Sequence, residues 1–462
     1  MSSLTAGQTN GSKRGATGHA SILNGNSFDA EDTATLDPGA RSLVERRHAR
    51  LGAAYRLFYR RPIELVRGRG AYVWDSVGNE YLDLYNNVPS LGHSHPAVID
   101  AVHRQMTQLN THTRYLHPGV IDYAEDILST MPGAIDQIMF VCTGSEANDL
   151  ALRVGREYTG GTAYIATSEA YHGNTALVSA HSPSLGSAEK LDPTLRVVDP
   201  PDTYRWGSSR AAGVAFYNAV ASAISEIEAS GDGLAGIIAD LSFSSDGIYT
   251  GEDQMVRAAI ELVQQRGGVF IADEVQPGFT RLGESFWGFQ RHGVVPDLVT
   301  TGKPMGNGIP IAGMAARSEV LEPFSTARPY FNTFGGNPVS VAAAQAVLDT
   351  IRGENLQQHA FTVGEEFRSA LSELAANHPS IGDIRGSGLY TGLELVMDRE
   401  TKEPAETLAL DLLEELRERH VLTSVCGPTN SVLKLRPPLA FQASDIPRAV
   451  DALDAALTAL NA

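Results

Sequence analysis

The sequence predicts an α/β protein, with a large domain built on a mostly parallel central sheet covered by helices and a smaller α+β domain beside it. Three observations carry this expectation. Short apolar runs alternate with helix-spaced stretches between about Gln137 and Ala316, the pattern of strands crossing over through helices. Small and polar residues gather where several of those runs end, and the carboxyl ends of strands are where such sheets bind ligands. After Pro338 the pattern changes to short strands separated by long amphipathic helices. A chain of 462 residues is long enough to fold both parts around a sizeable core.

Taken in order, the first forty or so residues are rich in Gly, Ser, Thr, Asn and Ala and read as a flexible tail over 1–42. The segment 43–97 carries Gly70 to Asp75 and Asn79 to Leu84, strands around a turn that pack with the smaller domain. A large domain over 98–345 opens its alternation with the run Gln137 to Thr143 and the helix Ser145 to Tyr158. Strands follow at Ala163 to Ala166, Leu234 to Leu241, Gly268 to Val275, Asp297 to Thr301 and Ile311 to Ala316, with a helix over Gly251 to Arg266. The remainder, 346–462, supplies strands at Gly388 to Val396, Val421 to Val425 and Val432 to Leu435, and a helix over Glu406 to Arg419. A last helix is N-capped by Ser444 and buries Val450, Leu453, Leu457 and Leu460.

Composition narrows the function classes. With 54 acidic against 36 basic residues the net charge is −18, which repels nucleic acid and acidic membrane surfaces. No apolar run reaches membrane-spanning length. The two cysteines, Cys142 and Cys426, offer neither a disulfide framework nor a CxxC metal site, as expected in the reducing cytoplasm. His93 and His95 flank a serine ahead of Pro96 and read as a turn, so no metal is expected.

The chemistry concentrates at Asp273 and Lys303. A lysine in a glycine-bounded turn, Thr301-Gly302-Lys303-Pro304, can form a Schiff base with an aldehyde cofactor. An aspartate at a strand end can keep that cofactor's ring nitrogen protonated. Gly302-Lys303 is not a nucleotide-binding loop, because Asp297 stands where that motif needs glycine and Pro304 where it needs Ser or Thr. Thr143-Gly144-Ser145-Glu146 starts a helix whose free N–H groups can hold a phosphate. Tyr171-His172-Gly173 sets a flat ring beside a turn, suited to stacking. Phe331 to Pro338 is a further glycine turn, and its Thr333 hydroxyl can donate to a phosphate.

Together, Thr143 to Asn148, Tyr171-His172-Gly173, Asp273-Glu274-Val275-Gln276, Thr301-Gly302-Lys303 and Asn332 to Pro338 resemble the class III aminotransferases from about Arg46 onward. The resemblance implies the fold-type I architecture, pyridoxal 5'-phosphate, and a homodimer with active sites at the subunit boundary. It implies that Lys303 carries the cofactor, Asp273 pairs with the pyridine nitrogen, Val275 and Tyr171 flank the ring, and Gln276 approaches the ring hydroxyl. Gly144 and Ser145 would bind the cofactor phosphate, His172 would join the cofactor site, and Thr333 would reach the phosphate from the neighbouring subunit.

Departures from that pattern point to the reaction. Ser245 stands where a glutamate is usual, and Lys434 replaces the arginine that glutamate neutralises. Two apart on a strand, Lys434 and Arg436 face one side and would bind a second anion. Tyr85 to Val88, Leu109 to His117, Ser285 to Gln290 and Asn332 to Ser340 are similar to the phospho-lyase branch, which acts on ethanolamine phosphate or phosphorylated hydroxylysine. A small phosphorylated amine is therefore the expected substrate, with Arg436, Lys434, Arg114 and Asn87 as candidates to grip its phosphate. Pro277 and Thr280, where glycine is usual, are further departures. The competing expectations are an aminotransferase that needs a keto acid acceptor, and a non-catalytic dimeric module that only binds the cofactor.

Overall fold

The computed structural model describes Ser21, residues 24–252 and residues 254–461. Its centre is a seven-stranded sheet in the order Gln137–Val141, Ala312–Ala316, Leu298–Thr301, Val269–Asp273, Leu234–Ala239, Ala163–Thr167, Arg196–Val198. The five strands from Leu298–Thr301 outward are mutually parallel, as predicted for the bulk of the sheet. Ala312–Ala316 instead runs antiparallel to both of its neighbours, because it returns from the Lys303 turn without a helical crossover. Helices cover both faces. Gly144–Thr159 packs against one through a cluster that includes Val141, Leu150, Val154 and Ile271, while Phe216, Ile260 and Val263 of the helices Ser209–Ser230 and Arg257–Gln265 lie on the other.

A second sheet, Ile381–Ser387, Tyr390–Asp398, Val432–Leu435 and Val425–Cys426, is antiparallel and flanked by Leu356–Ala375 and Glu406–Glu418, against which Ile446–Ala459 packs. A third sheet joins Leu65–Arg69, Tyr72–Asp75 and Glu80–Asp83 to Val421–Leu422. Val421 to Val425 is therefore not one strand: the chain leaves one sheet after Leu422 and enters another at Val425.

Three other local expectations are corrected. Of the tail over 1–42, residues 1–20, 22 and 23 lie outside the described residues, but 24–42 are folded. Asp37 caps the helix Pro38–Arg50 by accepting from Gly39 and Ala40, and Phe28, Leu36 and Val44 form a small buried cluster. Three apolar side chains spaced eight apart escaped a reading based on overall polarity. The helix expected from Gly251 begins only at Arg257, since Gly251 and Gln254 have φ of +59° and +63°, outside the helical region. Ser444 lies inside a short turn, Ala443–Asp445, and the last helix starts at Ile446 without a side-chain cap.

Candidate active site

The carboxyl ends of Gln137–Val141, Val269–Asp273 and Leu298–Thr301 open into a cavity of about 370 Å³. Gly144, Ser145, Tyr171, His172, Asp273, Val275, Gln276 and Lys303 all line it. Eight predicted residues from four separated segments thus converge, because parallel strands deliver their ends to one edge.

The floor is built from glycines and short hydrogen bonds. Thr143 caps the helix by accepting from the Glu146 N–H at 3.2 Å, and Glu146 reaches back to the N–H groups of Cys142 and Thr143. The capping box therefore consumes Thr143 and Glu146, and the N–H groups of Gly144 and Ser145, with no partners inside the helix, remain for a ligand. A Cβ on Gly144 would lie 2.8 Å from a Val275 methyl, so only glycine lets the helix start under Val275.

Asp273 is nearly sealed, at 4% exposure. Its Oδ2 accepts from His172 Nδ1 at 2.7 Å and from Asn148 Nδ2 at 3.0 Å, while Oδ1 accepts from the Val275 N–H at 3.1 Å. Asn148 also donates to the His172 carbonyl at 2.7 Å and accepts from Thr300 Oγ1 at 2.6 Å. Among the described residues, His172 Nε2 and Thr301 Oγ1 are buried beside the cavity wall without a partner. Burial and the nearby Arg436 push the Lys303 ammonium down to about 8, against the pull of Asp273 and Asp240. Burial raises the Asp240 carboxyl and the Tyr171 hydroxyl.

Five predicted residues do not line the cavity. Arg436 approaches it through Gln276, whose Oε1 accepts from Arg436 Nη1 and from the Tyr390 hydroxyl at 3.2 Å. Arg436 and Lys434 do face the same side, over the Tyr390 ring at 5.8 and 6.0 Å. Burial and Arg436 lower the Lys434 ammonium to about 7. Among the described residues neither cation has a carboxylate at ion-pair distance, although Asp240 exerts a weaker pull on Lys434. Asn87 is buried with its Nδ2 unpartnered. Thr333 and Arg114 are exposed, and Arg114 stacks on Phe331 at 4.3 Å.

Sequence reasoning passed over three contributors. Asn148 was part of a quoted motif, and its position four residues after Gly144, on the same helical face, was the signal. Asp240 follows the strand next to the one ending in Asp273, so its place at a strand end was also readable. Tyr390 carried no local signal, since its partner Gln276 lies 114 residues away.

The family pattern described as aminotransferase class-III matches residues 58–457. The chain belongs to the class III aminotransferases. This class III chain is 37% identical over 439 residues to ethanolamine-phosphate phospho-lyase homolog 1 of Caenorhabditis elegans, covering 91% of itself and 94% of that relative. It is 38% identical over 411 residues to alanine–glyoxylate aminotransferase 2-like of Drosophila melanogaster, covering 86% and 83%. A solved phospholyase from Arthrobacter, in complex with phosphoethanolamine, matches with a TM-score of 0.86 and 39% identity over 90% of this chain and 99% of that one. The fold is fold-type I, and the cofactor of this class III enzyme is pyridoxal phosphate. The cavity suits it: a lysine, a buried carboxylate, free N–H groups at a helix start and a glycine floor meet at one opening.

Proposed function

We propose that this enzyme is a phospho-lyase that converts ethanolamine phosphate or a similar phosphorylated amine, with one water, into an aldehyde, ammonia and phosphate. The observation that carries this reading is the buried pair Lys434 and Arg436, two basic side chains on one side with no carboxylate at ion-pair distance among the described residues. Burial and Arg436 already lower the Lys434 ammonium to about 7, and a bound anion would offset the cost of keeping both charges there. The relatives named for phosphate elimination support the choice of anion.

Bound pyridoxal phosphate supplies an electron sink for the carbon next to the substrate nitrogen. Lys303, with its ammonium lowered to about 8, keeps an appreciable neutral fraction near neutral pH, so Nζ can take the proton from that carbon. Asp273, fixed by Asn148 and His172, would keep the ring nitrogen protonated. Gly144 and Ser145 would hold the cofactor phosphate, and Val275 and Tyr171 would flank the ring. Lys434 and Arg436 would stabilise the departing phosphate dianion.

The enzyme works, on this proposal, as a cytoplasmic homodimer. Leu116, Tyr115 and Phe334 are 98%, 67% and 69% exposed around a groove of about 330 Å³, an apolar surface suited to burial against a second copy. Thr333 and Arg114 are exposed and adjoin the groove residues Asn332 and Thr113 in the chain, so both would serve the neighbouring subunit's cavity.

The test is to mix holoenzyme with ethanolamine phosphate and no keto acid, and to follow phosphate and acetaldehyde. Sustained release supports elimination, and Lys303→Ala should abolish it, excluding a module that only binds the cofactor. No phosphate release, with amination of pyruvate by an amine donor, would establish the aminotransferase reading that the Drosophila relative's name favours.

A further inference from the structure

Gln276 is held by two donors from different parts of the fold. Its Oε1 receives Arg436 Nη1 and the Tyr390 hydroxyl at 3.2 Å. Arginine can only donate, so the atom it meets must be the amide oxygen, and the carboxamide orientation is fixed by chemistry. An oxygen engaged by two donors turns the Nε2 group the other way, and Gln276 lines the cavity. The clamp is built into the second sheet: Tyr390 opens the strand Tyr390–Asp398, and Arg436 follows Val432–Leu435 directly. Tyr390 is fully buried, and burial raises its hydroxyl far above the ordinary range, so it stays protonated and able to donate.

We propose that Tyr390 is a positioning residue: with Arg436 it pins the Gln276 oxygen, so that the Gln276 amide would turn its N–H groups toward the ring-hydroxyl oxygen of the bound cofactor. The proposal rests on the pyridoxal phosphate site described above. It does not depend on which reaction follows. A donor aimed at an oxygen that carries negative charge stabilises the deprotonated oxygen. Loosening that donor makes the oxygen more basic, and the pH midpoint of the cofactor's visible absorption rises.

The experiment is a spectrophotometric pH titration of substrate-free holoenzyme for wild type, Tyr390→Phe, Gln276→Leu and the double variant. Phenylalanine keeps the ring and its packing and removes only the hydroxyl. Tyr390→Phe should raise the midpoint by about 0.5–1 pH unit, the scale of one neutral hydrogen bond. In the Gln276→Leu background the same change should add nothing, because the amide through which Tyr390 acts is gone. An unchanged midpoint in Tyr390→Phe overturns the proposal. So does an equal shift in both backgrounds, which would place the effect on another route. Since no substrate is present, an enzyme that proves to be a transaminase leaves this result standing.

Discussion

Replacing Lys434 with methionine should separate stability from substrate affinity. The ammonium is lowered from an ordinary 10.5 to about 7 by burial and by Arg436. The folded chain thus resists a proton that the unfolded chain holds between about pH 7 and 10.5. Stability rises with pH wherever the unfolded state binds more protons, so this lysine's destabilising effect is full below about 7 and fades as pH approaches 10.5. A shift of that size corresponds to about 5 kcal/mol as an upper bound. Lys434→Met keeps the stem's volume, so urea unfolding of substrate-free enzyme at pH 6 should show higher stability, by up to that amount. For the phosphorylated substrate the sign reverses. A lost charge-assisted contact costs about 1.5–3 kcal/mol, a rise in KM of roughly 10- to 150-fold. In wild type, KM should climb by up to about tenfold per pH unit above about 7 as the ammonium empties, and should also climb below about 6 as the phosphate protonates. The variant should lose the alkaline climb. A variant with wild-type KM and an unchanged pH profile would refute the role given to this cation.

Asn148→Ala should cost about 2–4 kcal/mol in urea unfolding of apoenzyme, because it strips a charge-assisted bond from Asp273, leaves the His172 carbonyl without this donor and leaves Thr300 only its long bond to the Ala272 carbonyl. Thr280→Gly should stabilise the fold by about 1 kcal/mol in the same assay. Thr280 has φ of +63°, a conformation costly for a β-branched residue, and its buried hydroxyl has no partner among the described residues. On the proposed homodimer, Leu116→Glu should shift the sedimenting species from dimer to monomer and lower activity together, since Leu116 lines the exposed apolar groove.

The convergence of Gly144, Asp273 and Lys303 on one cavity was legible because its signals are local. Asp273 ends an apolar run, Lys303 sits between glycine and proline, and Gly144 opens a helix, so each segment announced its position by itself. The shared side of Lys434 and Arg436 followed from strand alternation. What escaped depends on distant partners. Tyr390 matters only through Gln276, and the reversed direction of Ala312–Ala316 depends on how the chain turns back after Lys303. The positive φ at Thr280 is likewise set by surrounding packing, which no short window of sequence contains.

Asn148 ties the start of the helix Gly144–Thr159 to two neighbouring strands and to the turn at His172 through one carboxamide. An engineer seeking new amine substrates should therefore treat that knot as fixed hardware. Variation belongs instead at Lys434 on the second sheet, with Arg436 and Tyr390 kept because they hold Gln276 at the cavity.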